Sequence, residues 1–485
     1  MEQVEAMPAP ESVIRSARAA GVPVGGPAMG AADAYPRPAY GWYVVAVLTV
    51  AYVFSFLDRQ ILSLLVEPMK RDLSLSDTQI SLLQGMAFAL CNVLVGLPLG
   101  RLVDTRRRTA LVAAGVAFWS LATAACGLVR TFPALLLLRM GVGAGEAVLT
   151  PAANSLIGDH FPPHKVGLPL AVYSIGIFIG GGLALVIGAT IIQGALRSGP
   201  LLLPLVGEVR PWQTVFLLIG LPGIAVAALA LSLREPARKG ALRHATGADG
   251  GADGTTAVAA VPLAEVVAFL RTNARAFWGI NLFMGFSAVA GYGVAAWVPS
   301  LFIRRHGWSA VEIGHTYGLL LLTFGTAGVL CGGWLGDVMT RRRGAAGRLR
   351  AAIAVKLLTI PFIIAYTLLP DGRAAIWPLA ATVFLPTFLN GLSPAILQQM
   401  VPNQMRGTAI SISLLVINLL GLGLGPTSIA LLTDRVFRDP ASIHYSILIV
   451  SVTMMLLSLT SLLIAYRPYV ALVDRLRRES VAVPG

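Results

Sequence analysis

The sequence predicts an all-α membrane protein with twelve transmembrane helices in two six-helix bundles, and three observations support this fold class. Hydrophobic residues make up 56% of the 485 residues and charged residues only 12%, whereas a soluble domain usually carries about 25% charged residues. The apolar residues form long unbroken stretches, unlike the short alternating segments of a membrane β-barrel. A sequence motif at the end of the second stretch also returns at the end of the eighth.

The same composition excludes other classes of protein. Three cysteines are too few for a secreted disulfide scaffold. The net charge of +14 is typical of nucleic-acid binding, but the basic residues fall in short clusters between apolar runs, so we expect no nucleic-acid partner. The sequence contains no phosphate-binding Gly-Lys-Ser/Thr loop, no metal-ligand spacing and no nucleophile–base pair. We therefore expect no cofactor, no metal and no enzymatic activity.

The elements follow in chain order. Residues 1–40 are rich in Ala, Gly and Pro, which predicts a disordered cytoplasmic tail. Twelve apolar stretches follow, each near the roughly 20 residues that cross a bilayer. We number these spans 1 to 12 and place them at 43–66, 78–101, 109–129, 132–157, 167–192, 212–232, 274–302, 312–336, 349–369, 375–400, 407–432 and 443–466. The predicted units are an N-terminal bundle (41–233), a central loop (234–273), a C-terminal bundle (274–466) and a cytoplasmic tail (467–485).

The distribution of basic residues predicts the orientation of the spans. If both termini are cytoplasmic, the cytoplasmic segments hold 24 of the 37 Lys and Arg residues and the outer loops hold 10. Such a bias follows the positive-inside rule. We therefore predict that both termini lie in the cytoplasm, and that the protein is a multi-pass protein of the plasma (inner) membrane.

The central loop divides the chain into two halves. Its middle, Gly240–Thr256, is polar and rich in small residues. The apolar residues of segment 261–272 recur at helical spacing after Pro262. This pattern is typical of a short helix on the membrane surface, but it also fits a helical extension of span 7.

An internal repeat supports the division into halves. Gly100-Arg-Leu-Val-Asp104 ends span 2, and Gly333-Trp-Leu-Gly-Asp337 ends span 8, each followed by a cluster of arginines. Two parallel six-span repeats are one way of building a secondary transporter. With Arg108, the first copy resembles the loop signature of the major facilitator superfamily, although Thr105 replaces one of its arginines. The resemblance covers about residues 43–466 and implies the fold of that superfamily.

Four ionisable residues interrupt apolar spans: Asp58 and Arg59 in span 1, and Arg139 and Glu146 in span 4. Each costs about 2.5–3.5 kcal/mol at the centre of a membrane helix, so the four must face a cavity or each other. Arg139 and Glu146 are seven residues apart and lie on one helix face. We predict that Arg139 pairs with whichever acid is ionised, Asp58 or Glu146, and that the three residues couple the protein to protons. The alternative is a static ion-pair network that fixes helix register.

Two segments are similar to the spinster-type branch of the superfamily. They are Phe56-Leu-Asp58-Arg59 in span 1 and Arg139-Met-Gly-Val-Gly143-Ala-Gly145-Glu146-Ala147 in span 4. This resemblance implies export of lysophospholipids or sphingoid phosphates in animals, and proton-linked transport in bacteria. It also implies that Asp58, Arg139 and Glu146 engage protons and substrate.

Further residues are candidates for cargo binding and for a gate. For substrate binding we expect Arg139, Glu146 and Arg59, and polar or aromatic side chains in spans that line the cavity. These side chains are Tyr173, Tyr292, Asn281, Asn390 and Asn418. For a cytoplasmic gate we expect ion pairs at the inner ends of spans 2 and 8, which would hold the outward-open state. The gate candidates are Gly100, Asp104, Arg108, Asp337 and Arg341.

The sequence thus predicts a proton-coupled secondary active transporter that works by alternating access between two bundles. We expect a monomer in the lipid bilayer, and a small amphipathic or anionic substrate, such as a lysolipid or a sphingoid phosphate. One alternative is a proton symporter for small organic anions, with Arg139 binding the carboxylate. Another is a membrane receptor that transports nothing.

Overall fold

The computed structural model describes residues 35–162, 165–198, 201–203, 207–236, 263–402 and 405–482. Within these ranges twelve helices are long and apolar enough to cross a membrane, and each predicted span overlaps one of them. The predicted fold class is confirmed. The predicted N-terminal tail up to residue 34 and the loop segment Gly240–Thr256 lie outside the described residues.

The helices of the N-terminal bundle begin at residues that favour helix starts. Pro38 lies in the first turn of span 1, and the Ser76 hydroxyl caps span 2 by accepting a hydrogen bond from the Gln79 backbone N–H (3.1 Å). A π-helical turn, Leu82–Met86, interrupts span 2. The α-helices are Pro38–Leu73, Asp77–Ser81, Ala87–Thr105, Arg108–Cys126, Phe132–Glu146, Leu149–His160, Gly167–Ser198 and Pro211–Leu231.

The helices of the C-terminal bundle include longer continuous runs. Spans 8 and 9 are two helices within Thr326–Leu368 that meet at Gly344, whose positive φ (62°) is a backbone conformation that favours glycine. The α-helices are Ala274–His306, Ala310–Leu320, Thr326–Leu368, Gly372–Gln399, Arg406–Val416, Gly425–Leu431 and Ile443–Ala482. Among the described residues, this bundle also has π-helical stretches and a 3₁₀ turn. They are Leu321–Gly325, Ile417–Leu424, Leu432–Phe437 and the 3₁₀ turn Pro440–Ser442.

Three segments differ from or refine the sequence prediction. The loop between spans 5 and 6 contains an antiparallel hairpin of Leu201–Leu203 and Gly207–Val209, which was not predicted. The segment before span 7 forms a separate helix, Leu263–Thr272, which ends at the non-helical residue Asn273. Span 12 continues as helix to Ala482 rather than ending at residue 466, and Pro468 lies inside it.

The two bundles pack together at the helix ends that lie opposite the chain termini. Span 5 packs against span 8 there, and a Cβ atom on Gly318 would lie 2.8 Å from the Gly182 carbonyl oxygen. The backbones can approach this closely only because both positions are glycine. One continuous cluster of buried apolar side chains fills this region and includes Leu64, Leu185 and Ile313 from both bundles. We call it the closed end.

At the other end, near the chain termini, the two bundles have largely separate apolar cores. A Cβ atom added to Gly100 in span 2 or to Gly333 in span 8 would meet no atom within 4 Å. We call this the open end. The bundles therefore share one apolar core at the closed end and have largely separate cores at the open end.

Candidate functional site

The predicted cluster of ionisable residues forms inside the N-terminal bundle. Asp58, Arg139 and Glu146 are 3%, 0% and 3% exposed, respectively. Spans 1 and 4 bring them together, since the Arg139 guanidinium contacts the Asp58 backbone and Glu146 contacts the residue after Asp58. The expectation that these charges are sheltered inside the protein therefore agrees with the structure.

The partner of Glu146 is Arg59 rather than Arg139. Glu146 Oε2 accepts hydrogen bonds from Arg59 Nε (2.8 Å), Arg59 Nη2 (2.5 Å) and Ser55 Oγ (2.5 Å). Ser55 and Arg59 are four residues apart, so both lie on the face of span 1 that packs against span 4. The Arg59 guanidinium also lies 4.8 Å from the ring centre of Phe56 and 4.2 Å from that of Phe88, which adds cation–π attraction.

Arg139 binds backbone carbonyls instead of carboxylates, which corrects the predicted ion pairing. Its Nη1 donates to the carbonyl oxygen of Asp58 and its Nε to that of Leu83, both at 3.3 Å. Leu83 lies in the π-helical turn of span 2, a local geometry that often occurs at functional sites. The Asp58 carboxylate points toward span 3 and accepts a hydrogen bond from Thr123 Oγ1 (2.9 Å). Arg139 therefore joins the backbones of spans 1 and 2 to span 4.

Three polar atoms of the cluster remain without a hydrogen-bond partner among the described residues. They are Asp58 Oδ1, Arg139 Nη2 and Glu146 Oε1, and all are buried. Native proteins rarely leave buried polar atoms unsatisfied, so these atoms are able to bind water, a proton or a ligand. Each carboxylate thus keeps one free oxygen that a proton can occupy.

A cavity lies directly beside this cluster, beneath the closed end. Water-sized molecules have about 50 Å³ of space in it. The wall combines one cation with polar and apolar side chains. It consists of Phe56, Arg59, Gln60, Ser63, Gln84, Tyr292, Ala295, Ala296, Leu422 and Pro426. The Arg59 side chain is 18% exposed and that of Glu146 is 0% exposed. Arg59 therefore separates the cavity from the buried acid.

Among the other predicted cargo-binding residues, Tyr292 alone lines this cavity. Tyr173 is buried and stacks on Tyr52 with ring centres 4.4 Å apart. Asn281 is fully buried, and its amide donates to the Phe277 carbonyl (2.8 Å) one turn back in the same helix. Asn390 is exposed and Asn418 half-buried, and neither lines the cavity.

The predicted gate residues lie at the open end. Arg108 is buried within the N-terminal bundle, where it binds Asp159 and Glu235 (Nε to Oε1, 2.7 Å). It therefore connects spans 3 and 4 to the segment after span 6 rather than to the other bundle. Arg341 is exposed, and Gly100 faces open space. The predicted contacts of Asp104 and Asp337 fall on side chains outside the described part of the structure.

Sequence reasoning missed the charged network at the closed end. Arg304 Nε donates to Glu67 Oε1, and its Nη atoms donate to both Asp77 oxygens, all at 2.7 Å. Lys70 also binds Asp77. Nearby, the Thr78 backbone N–H and hydroxyl both donate to Asp434 Oδ2 (2.7 Å). These residues lie at helix ends, where charges are common, so no sequence pattern indicates that they join the bundles.

Two six-helix bundles packed around a cavity are an architecture that many secondary transporters share. The sequence profile described as Major Facilitator Superfamily matches residues 48–426, and the chain belongs to this family. Members of the family are transporters and not enzymes.

Individual relatives agree with this assignment. The chain is 28% identical to an MFS-type efflux pump of Mycolicibacterium smegmatis over 402 residues, or 83% of this chain and 86% of that protein. It is 27% identical to human protein spinster homolog 1 over 429 residues (82% and 74%). It is also 27% identical to a probable L-galactonate transporter of Escherichia coli over 300 residues (61% of each).

A solved structure shows the same likeness. The crystal structure of a bacterial homolog of the human lysosomal transporter spinster, inward-facing and unoccupied, superposes with a TM-score of 0.71 at 27% identity. The match covers 90% of this chain and 98% of that one. The predicted resemblance to spinster-type transporters is confirmed.

Proposed function

We propose that this protein is a proton-coupled secondary active transporter of the plasma membrane whose cargo is an amphipathic anion. A lysolipid or a sphingoid phosphate is the class that we favour. The observation that carries the proposal is the Arg59–Glu146 pair, in which the cation faces the cavity and the acid is sealed behind it.

The pair provides a means of coupling. While Glu146 is ionised, its carboxylate holds Arg59 by two hydrogen bonds. Protonation of Glu146 removes that negative charge, and the guanidinium is then available to an anion in the cavity. Proton binding and anion binding thereby favour each other. Asp58, with one free oxygen, is the second proposed proton site, and Arg139 holds the helices that carry both acids.

The orientation completes the proposed cycle. If both termini are cytoplasmic, the open end faces the cytoplasm and the conformation is inward-facing. A monomer has all the parts of this cycle in one chain. A membrane potential of 100 mV supplies about 2.3 kcal/mol for each charge moved, which is enough to bias the two states of the transporter.

Reconstitution into liposomes tests the proposal. We expect 1-oleoyl lysophosphatidic acid to move across the membrane together with protons, at a rate that depends on pH. Glu146→Gln and Asp58→Asn should each abolish that pH dependence, whereas Glu312→Gln, an exposed glutamate on span 8, should retain it. Unchanged pH profiles in both site variants would refute the coupling mechanism, and no flux of any anion would favour a receptor.

A second candidate is proton symport of small organic anions. The likeness to a probable L-galactonate transporter favours it, and Arg59 is suited to bind a carboxylate. The same liposomes distinguish the two candidates, since L-galactonate flux without lysolipid flux would replace the first by the second.

A further inference from the structure

Span 7 has a gap in its backbone hydrogen bonds at the cavity. Pro299 lies inside the helix Ala274–His306 and has no N–H. The residue four positions earlier, Ala295, therefore has a carbonyl oxygen without a helical partner. Ala295 and its neighbour Ala296 both line the cavity.

Two glutamines of the other bundle donate to these carbonyls. Gln60 Nε2 in span 1 lies 3.0 Å from the Ala295 oxygen, and Gln84 Nε2 in span 2 lies 3.2 Å from the Ala296 oxygen. Both glutamines line the cavity next to Arg59. These hydrogen bonds cross from one bundle to the other, so separation of the bundles at the closed end would break them.

The orientation of the Gln84 amide follows from its partner. A carbonyl oxygen can only accept a hydrogen bond, so the amide must present its NH₂ group to Ala296 and direct Oε1 elsewhere. Gln84 is only 9% exposed, and Oε1 is buried with no hydrogen-bond partner among the described residues. Gln84, which lines the cavity together with Arg59, thus has an unused acceptor.

We propose that Gln84 is a specificity-determining residue, whose amide oxygen accepts a hydrogen bond from a hydroxyl or amino group of the cargo while Arg59 binds its anionic group. This inference rests on the proposed function and narrows its substrate class. The cargo is an anion with a hydrogen-bond donor close to the charge. A lysolipid headgroup and a free sugar acid share this chemistry.

Matched ligand pairs test the inference on the purified full chain in lipid nanodiscs. The first pair is 1-oleoyl lysophosphatidic acid and its analogue without the glycerol hydroxyl. The second pair is D-gluconate and hexanoate. We expect the hydroxylated member of at least one pair to bind about 10-fold more tightly or better, because the other member leaves the buried acceptor unsatisfied. The pair that shows this difference in affinity indicates whether the cargo is a lysolipid or a free sugar acid.

Substitutions assign the preference to one side chain. Gln84→Met, which is similar in size but lacks the amide, should reduce the affinity ratio to about one while the anion still binds. Gln398→Met, at an exposed glutamine of span 10, should leave the ratio unchanged. Because both ligands of a pair are measured on the same preparation, their affinity ratio does not depend on the fraction of protein that is folded. Gln84→Asn keeps an amide, so it should retain part of the preference for the hydroxylated ligand.

The possible failures are distinguishable. Equal binding of both members of each pair to the unmodified chain would overturn the role of Gln84 and leave the anion site intact. If the Gln84→Met variant still binds the hydroxylated ligand more tightly, the proposed role of Gln84 is also wrong. If no anion binds at all, the anionic cargo of the proposed function is wrong, and the role of Gln84 is wrong with it.

Discussion

Arg304 is expected to control the equilibrium between the two states of the transporter. It extends from span 7 of the C-terminal bundle to Glu67 and Asp77 of the N-terminal bundle, and makes three hydrogen bonds of 2.7 Å to their carboxylates. When the closed end opens, these groups separate and become hydrated. Arg304→Met therefore removes interactions that only the closed-end conformation makes.

The structure sets the size of the effect. The side chains of Arg304 and Asp77 are 7% and 0% exposed, and removal of one partner of a buried ion pair costs about 3–5 kcal/mol. Lys70 still binds Asp77 in the variant, so we take the lower value, about 3 kcal/mol. Because about 1.4 kcal/mol corresponds to a factor of ten, the population ratio should shift about 100-fold toward opening at this end.

Distances between spin labels measure this shift. Labels at Arg71 and Val436, both exposed near the closed end, should report one short distance in the parent chain in nanodiscs. The Arg304→Met variant should show a second, longer distance as a major population. Arg435→Met, which removes an exposed arginine near the same end, is the matched control. A distance distribution identical to that of the parent would refute the role of Arg304.

Two other predictions concern packing and pH. Gly318→Val places a side chain against the Gly182 carbonyl, so it should prevent closure at this end and reduce transport at least tenfold, as measured by flux in liposomes, with the protein still folded. Burial acts to raise the pKa of Glu235, but hydrogen bonds from the Thr109 backbone and from Arg108 lower it below its usual 4.5. The ionised Glu235 carboxylate therefore stabilises the folded protein above pH 4.5. This stabilisation is lost as the pH falls through the lowered pKa of the folded state. Thermal unfolding of Glu235→Gln should show a lower melting temperature than the parent at pH 7 and a smaller difference near pH 3.

Much of the fold was predictable because the membrane imposes simple rules. Each span needs about 20 apolar residues, and all twelve predicted spans match helices of the structure. The helix of span 12 continues beyond its apolar stretch to Ala482. In the structure Pro468 lies within the helix. The strands Leu201–Leu203 and Gly207–Val209 have too few residues to produce a strand pattern.

The site was only partly predictable. The cost of a charge in lipid indicated that Asp58, Arg139 and Glu146 lie inside the protein, as the structure has them. Their pairing depends on how span 1 is rotated. Asp58 and Arg59 are adjacent, so their side chains point about 100° apart. Packing directs Arg59 to Glu146 and Asp58 to Thr123, and no sequence spacing specifies this rotation.

The two carbonyl contacts of Arg139 do not depend on which side chains line the cavity. Backbone oxygens are present whatever the side chain, so this guanidinium anchors spans 1, 2 and 4 independently of the residues that face the cargo. Replacements of side chains at the cavity wall therefore leave these two contacts in place. Lysine would be a poor substitute for Arg139, because a single ammonium group lacks the planar fork that reaches both oxygens.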